Sequence, residues 1–140
     1  MLKFLFIFIN FFFNQIDIEI RQTFLPDLTH NGMFCKKTII TKGTRFGPFP
    51  GKKIFPNEMK ISEDNINMWE IFTDGRLTHF INGKIDSTMS NDDPLAANYW
   101  MIYINCARFA QEQNMIAVQY QGDIFYEVCK DIGQVSLINY

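Results

Sequence analysis

The stretch YWMIYINCARFAQEQN, Tyr99–Asn114, holds one cysteine, with an asparagine before it and an arginine two residues after it. Cys106 can be read as a nucleophile, a metal ligand or a small buried apolar residue. A nucleophile needs a nearby base to make thiolate. His79 is the candidate for that base, and nothing in the sequence connects it to Cys106. A zinc ligand needs partners: Cys35, Cys106 and Cys129 contain no CxxC pair, and His30 and His79 do not complete a four-ligand pattern. No metal site is expected. Taken on residue type and neighbours alone, Cys106 reads as a buried thiol among aromatic and aliphatic side chains, slow to react with thiol reagents.

Outward from this stretch the chain reads as many short strands with little helix. C-terminal to it, Met115–Tyr120 and Ile124–Cys129 are β-prone runs around Gln121-Gly122-Asp123, a clear hairpin signal. N-terminal to it, NMWEIF at Asn67–Phe72 and LTHFI at Leu77–Ile81 flank Asp74-Gly75, a second hairpin signal. Ile16–Ile20 alternates apolar and acidic residues and suits a half-exposed strand, with Leu25-Pro26-Asp27 breaking the pattern after it. MFCKKTII, Met33–Ile40, suits a strand of its own. Gly83–Ala97 is polar and reads as an irregular loop. Arg108–Gln113 is the best short helical turn. Gly47-Pro48-Phe49-Pro50-Gly51 is glycine-rich, but it has no GK[ST] and opens no helix, so it is a rigid turn rather than a phosphate loop. Trp69 and Trp100 read as core anchors. The acids Glu58, Glu63, Asp64, Asp92 and Asp93 fall in loop-like segments and read as solvated.

The 140 residues suffice for one domain with a real core, and a net charge of −2 leaves no basic footprint for nucleic acid. The odd cysteine count points to reduced thiols. The two ends differ from the middle. MLKFLFIFINFFF, Met1–Phe13, carries six of the fifteen phenylalanines and is too short for a transmembrane helix, which needs about 20 apolar residues. It has the lysine and apolar run of a signal peptide but no small-residue cleavage site. The genetic code offers another hypothesis. A Phe-rich run ending in Asn-Gln can be a pyrimidine tract followed by CAG, and Gln134-Val135-Ser136 can be written CAG-GTA-AGT, a splice donor, so both flanks would be translated intron. Sequencing the transcript tests this, and a spliced message keeping both flanks in frame ends it.

Five blocks taken together say more than their parts. GTRFGPFPGK at Gly43–Lys52, DNINMWEIF at Asp64–Phe72, HFINGK at His79–Lys84, YWMIYINCAR at Tyr99–Arg108 and EQNMIAVQYQGDIFYEVCKDI at Glu112–Ile132 resemble, in order and spacing, the PR domain of the PRDM family. That family is a divergent branch of the SET fold of lysine methyltransferases. The resemblance runs from about Gly32 to Ile132. It implies a mainly β, SET-like fold of short strands in small sheets, with knot-like threading near the C-terminus. It also implies residence in the nucleus and a role as transcription regulator, with co-regulator proteins or histone tails as partners. DNA contact would fall to zinc fingers, which these residues do not contain, and no membrane role is implied. The expected organisation is an apolar leader at 1–15, an approach segment at 16–31, the PR/SET domain at 32–134 and an atypical end at 135–140.

The resemblance also implies a cofactor site for S-adenosylmethionine. Its residues would be the backbone around Gly32, Met33 and Phe34, together with Asn67 and the pair Asn105-Cys106, where SET enzymes commonly have Asn-His. Tyr140 would be the catalytic tyrosine if VSLINY aligns with the family's ELLVWY. Two functions follow: a protein-interaction module, or an active protein-lysine N-methyltransferase. Departures from the family pattern favour the module. The glycine-rich approach is reduced to Asn31-Gly32-Met33, FING replaces FIDG, and the chain stops before the segment that closes the site in the family. If VSLINY is intron-coded, Tyr140 is a coincidence and the last core strand is expected to be damaged, with apolar surface left open.

Overall fold

Two tight turns organise most of the sheet structure. In the computed structural model, which describes residues 18–22, 31–36, 38–60, 67–84 and 94–140, Asp74-Gly75 and Gln121-Gly122 both have positive φ at both positions. That geometry matches the twist of two antiparallel strands. The first turn joins β6 (Met68–Thr73) to β7 (Arg76–Asn82), and the second joins β8 (Met115–Tyr120) to β9 (Asp123–Val128). Both hairpins lie where the sequence signals put them. The apolar leader, Ile16, Asp17, Leu25-Pro26-Asp27, His30, Glu63, Asp64, Asp92 and Asp93 lie outside the described residues.

Each hairpin gains one further strand. β5 (Lys52–Ile54) pairs with β7, giving the order β5-β7-β6, and β4 (Arg45–Phe46) pairs with β9, giving β4-β9-β8. A third sheet places β2 (Asn31–Cys35) between β1 (Ile18–Gln22) and β11 (Leu137–Ile138). A two-stranded ladder pairs β3 (Ile39–Ile40) with β10 (Ile132–Gly133). All these pairs are antiparallel. The fold is mainly β, as expected.

Alternation sets the core. In β9, Ile124, Tyr126 and Val128 point inward, as period-2 geometry requires. They meet Met33, Ile71, Ile81, Met101 and Ile138, each at most 1% exposed. Trp69 and Trp100 pack against this cluster from its margin, half-buried rather than at its centre. The bend at 47–51 threads between the sheets: Phe49 donates its amide to the Ile124 carbonyl at 2.7 Å, and its ring is 4% exposed.

Three expectations need correction. Met33–Ile40 is not one strand. The chain leaves β2 at Cys35, whose carbonyl accepts from Val135 N–H, and resumes as β3 in a different ladder. The apparent loop before Ala97 ends in a 3-10 helix, Ala96–Tyr103. Its apolar residues carry neither strand nor α-helical period, so periodicity missed it. Arg108–Gln113 forms the short turn expected, closed by Glu112 N–H on Phe109 C=O and by the Arg108–Glu112 ion pair. Finally, the last strand is intact. Leu137 and Ile138 pair with Phe34 and Met33, and Ile138 is fully buried. The bonds of residues 135–140 reach back to β2 and to the 105–115 region.

Candidate aromatic cleft at the C-terminal crossing

The C-terminal residues pass between two earlier segments. On one side Tyr140 N–H donates to Asn105 C=O at 3.1 Å, and Ala107 N–H donates to Tyr140 C=O at 2.7 Å. On the other side Asn114 N–H and Met115 N–H both donate to Asn139 C=O, at 3.2 and 2.9 Å. Residues 139–140 are thus held between 105–107 and 114–115, with a parallel bridge from Asn105 to Asn139. This is the knot-like threading expected of the SET-like fold. It delivers the Tyr140 side chain to a cleft.

Phe49, Asn67, Trp69, Ile104, Tyr126 and Tyr140 line that cleft, which is open to solvent and small, about 60 Å³. Small-molecule sites usually enclose about 300 Å³ or more, so the cleft in this closed arrangement is smaller than one. The rings touch one another. Tyr140 stacks on Tyr126 with centroids 5.0 Å apart and leans on Trp69 at 5.3 Å, while Trp69 and Tyr126 meet edge-on at 6.1 Å. Burial raises both tyrosine pKa values above the ordinary phenol range. The two hydroxyls are hydrogen-bonded to each other. The bond from Tyr140 to Cys106 raises Tyr140 further. Tyr140 thus stands between Tyr126 and Cys106, and both phenols are protonated at neutral pH.

A model of the PR domain of PR domain zinc finger protein 2 matches residues 19–137. The chain belongs to the PRDM family of PR domains. PR domain zinc finger protein 14 of Mus musculus is 50% identical over 111 residues, covering 79% of this chain and 18% of that protein. Histone-lysine N-methyltransferase PRDM7 of Homo sapiens is 34% identical over 106 residues, covering 72% of this chain and 18% of the relative. The solved methyltransferase domain of human PR domain-containing protein 2 matches with a TM-score of 0.63 at 25% identity, over 89% of this chain and 75% of that one. The PR domain thus spans less than a fifth of the length of these two curated relatives.

Of the residues that sequence reading assigned to the PR domain's site, Asn67 and Tyr140 line the cleft, and Asn105 and Cys106 stand beside it. Asn105 also reaches β2, donating its amide to Asn31 C=O at 3.3 Å. Met33 and Phe34 are placed differently. The Met33 side chain lies in the core, 1% exposed, and Phe34 sits under the Arg21 guanidinium at 5.6 Å. Both residues are flanked by β1 and by β11, so the ladders face their main-chain groups on both sides. Gly32 and Asn31 have a strand neighbour on β1 only.

Cys106 departs from expectation. Its thiol is exposed, whereas Cys35 is the buried one. The reason is the crossing: residues 105–107 turn their main chain to Tyr140, which leaves the Cys106 side chain at the cleft rim rather than in the core. His79 is no base for it. Its Nε2 lies 2.9 Å from Gly122 C=O at the tip of the β8–β9 hairpin.

The donor set suits S-adenosylmethionine in part. The lining residues present aromatic faces, amides and neutral hydroxyls, and none is cationic, so nothing there repels a sulfonium. Asn67 lines the cleft and Asn105 adjoins it, with Asn31 reached only through Asn105, while Met33 and Phe34 lie within the ladders on both sides. Sequence reading missed Tyr126, Phe49 and Asn114 as site residues. The inward period of IFYEV was a usable signal for Tyr126. The other two had no local signal.

Proposed function

We propose that this PR domain serves mainly as a protein-interaction module of a nuclear transcription regulator, contacting co-regulator proteins or histone tails. The observation that carries the reading is the closed aromatic cluster. A cation held between two rings needs each face free, with the cation within about 6 Å of each centroid. Here Tyr126 and Tyr140 are stacked on each other at 5.0 Å, and Tyr140 O–H is engaged with Cys106. A lysine amine therefore finds no gap between these two rings and no unengaged orienting hydroxyl. DNA contact would be left to zinc fingers, which the name of the mouse relative carries.

One observation favours a second reading, a protein-lysine N-methyltransferase using S-adenosylmethionine. The main chain on both sides of Tyr140 is tied to Asn105 and Ala107, which puts its hydroxyl at the same cleft as Asn67. Asn31, Gly32, Asn67 and Asn105 would hold the cofactor, which when bound supplies an electrophilic methyl on a sulfonium. The protein's part is alignment and exclusion of water, worth several orders of magnitude in rate. Tyr140 would orient a neutral amine through its lone pairs once freed from Tyr126. Phe49, Trp69 and Ile104 would keep water from the reacting pair.

Calorimetric titration of the chain with S-adenosylmethionine, with a methyl-transfer assay on histone peptides, separates the two. Absence of both heat and transfer removes the enzyme reading. Turnover that Tyr140→Phe abolishes overturns the module reading.

A further inference from the structure

The aromatic cluster is closed only while the C-terminal strand stays docked, and one side chain holds that strand from the far side. Asn114 is 6% exposed, and its amide does what a neighbouring strand would do. Its Nδ2 donates to Leu137 C=O at 2.8 Å, and its Oδ1 accepts from Asn139 N–H at 3.0 Å. Its own N–H donates to Asn139 C=O at 3.2 Å, and its C=O accepts from Cys129 N–H at 2.9 Å. Every polar group of this residue is therefore used, three of them on residues 137–139. β11 itself is only two residues long and pairs on one side. It is approached through Val135, which holds φ +67 and is 59% exposed. A branched side chain in that region of backbone is strained. The strand is thus short and entered through strain, and the buried Asn114 amide adds two bonds to the main-chain bonds that hold it.

We propose that Asn114 is a positioning residue, a latch whose side-chain amide keeps residues 137–140 docked and so decides whether Tyr140 stands in the cleft. Releasing it withdraws Tyr140. That frees the faces of Tyr126 and Trp69 and opens the cleft to a cationic side chain such as a lysine ammonium. The last step rests on the cleft being the partner site; the latch itself does not. The latch lies on the opposite side of the strand from Asn105, so it acts on the cleft only through residues 137–140.

Two variants of the full chain separate the latch from a general loss of stability. Asn114→Asp keeps the shape and the acceptor for Asn139 N–H but sets an oxygen against Leu137 C=O. Asn114→Ala removes both bonds. Amide hydrogen exchange and alkylation of Cys106 by iodoacetamide, located by mass spectrometry, need no ligand. Loss of one buried hydrogen bond corresponds to about tenfold faster exchange. The expected result is at least that rise at Asn139 and Tyr140 in the Asn114→Asp chain, more in Asn114→Ala, with faster Cys106 alkylation and unchanged protection in the β6–β7 hairpin. Unchanged exchange at 139–140 overturns the proposal. So does an equal rise in the β6–β7 hairpin, which would make Asn114 an ordinary core residue. Titration with N-butylammonium then reads the cleft separately: binding by Asn114→Ala and not by the parent supports the opening. Failure to bind despite local loosening overturns the cleft's role as a cation site and leaves the latch standing.

Discussion

Replacing Gly83 with alanine tests how the cleft wall is built. An added Cβ at Gly83 would lie 2.6 Å from Phe49 Cε1, 2.8 Å from Cζ and 3.2 Å from Asn67 C=O. Two of these are well inside van der Waals contact, so Phe49 or the backbone must move. The ring cannot yield cheaply. It is 4% exposed, sits between Pro48 and Pro50, and meets Trp69 at 5.9 Å and Tyr126 at 6.1 Å, both edge-on. Gly83 N–H also donates to Asn67 C=O at 2.8 Å, so backing the β7 end away weakens that bond. Overpacking of this kind costs about 1–3 kcal/mol, and the strained hydrogen bond and ring contacts put the expectation near 2 kcal/mol. For a domain of this size that is about 8 °C in melting temperature. The assay is urea and thermal unfolding followed by tryptophan emission. Gly75→Ala is the control: its surroundings are open, and only its φ of +73 is costly, about 1 kcal/mol. The decisive measurement is a double-mutant cycle with Phe49→Leu, which puts a smaller and more pliable side chain at that position. If the clash is with Phe49, Gly83→Ala should cost clearly less in a chain that already carries Phe49→Leu. Additive effects, or a Gly83→Ala chain within about 0.5 kcal/mol of the parent, would refute the reasoning.

Three further outcomes are expected. Alkaline titration followed at 295 nm should show Tyr126 and Tyr140 ionising above the ordinary phenol range, because burial raises both. With folded pKa values above unfolded ones, their contribution to stability is complete below about pH 10 and fades as pH rises further, so alkaline unfolding should accompany their ionisation. Thiol labelling of the folded chain should modify Cys106 readily and leave Cys35 untouched until unfolding, and protection of Cys106 would contradict its place at the rim. Gln119→Leu should loosen the contact between hairpins. The Gln119 amide accepts from Phe72 N–H at 3.1 Å and donates to Phe72 C=O at 2.6 Å, tying the edge of β6 to β8. A loss of about 1 kcal/mol by urea unfolding is expected for this exposed pair of bonds, together with a greater tendency to self-associate through the freed edge.

The hairpins, the inward period of β9, the bend at 47–51 and the family were legible in the residues, because each rests on local sterics or on a contiguous motif. Asp74-Gly75 and Gln121-Gly122 reverse the chain through their own φ values, wherever they stand. Asn67, Asn105 and Tyr140 were named from motif positions, and the cleft contains or adjoins all of them. What only the tertiary structure decided is how the last six residues are used. VSLINY has no periodicity worth reading, and its meaning comes from partners 25 to 105 positions away: Asn114 for Asn139, Asn105 for Tyr140, Met33 for Ile138. The same crossing turns Cys106 outward, and the break between β10 and β11 splits Met33–Ile40 between two ladders. Hydrogen bonds between distant segments leave no local pattern in a chain, so the sequence by itself could name Tyr140, but only the crossing could place it against Tyr126.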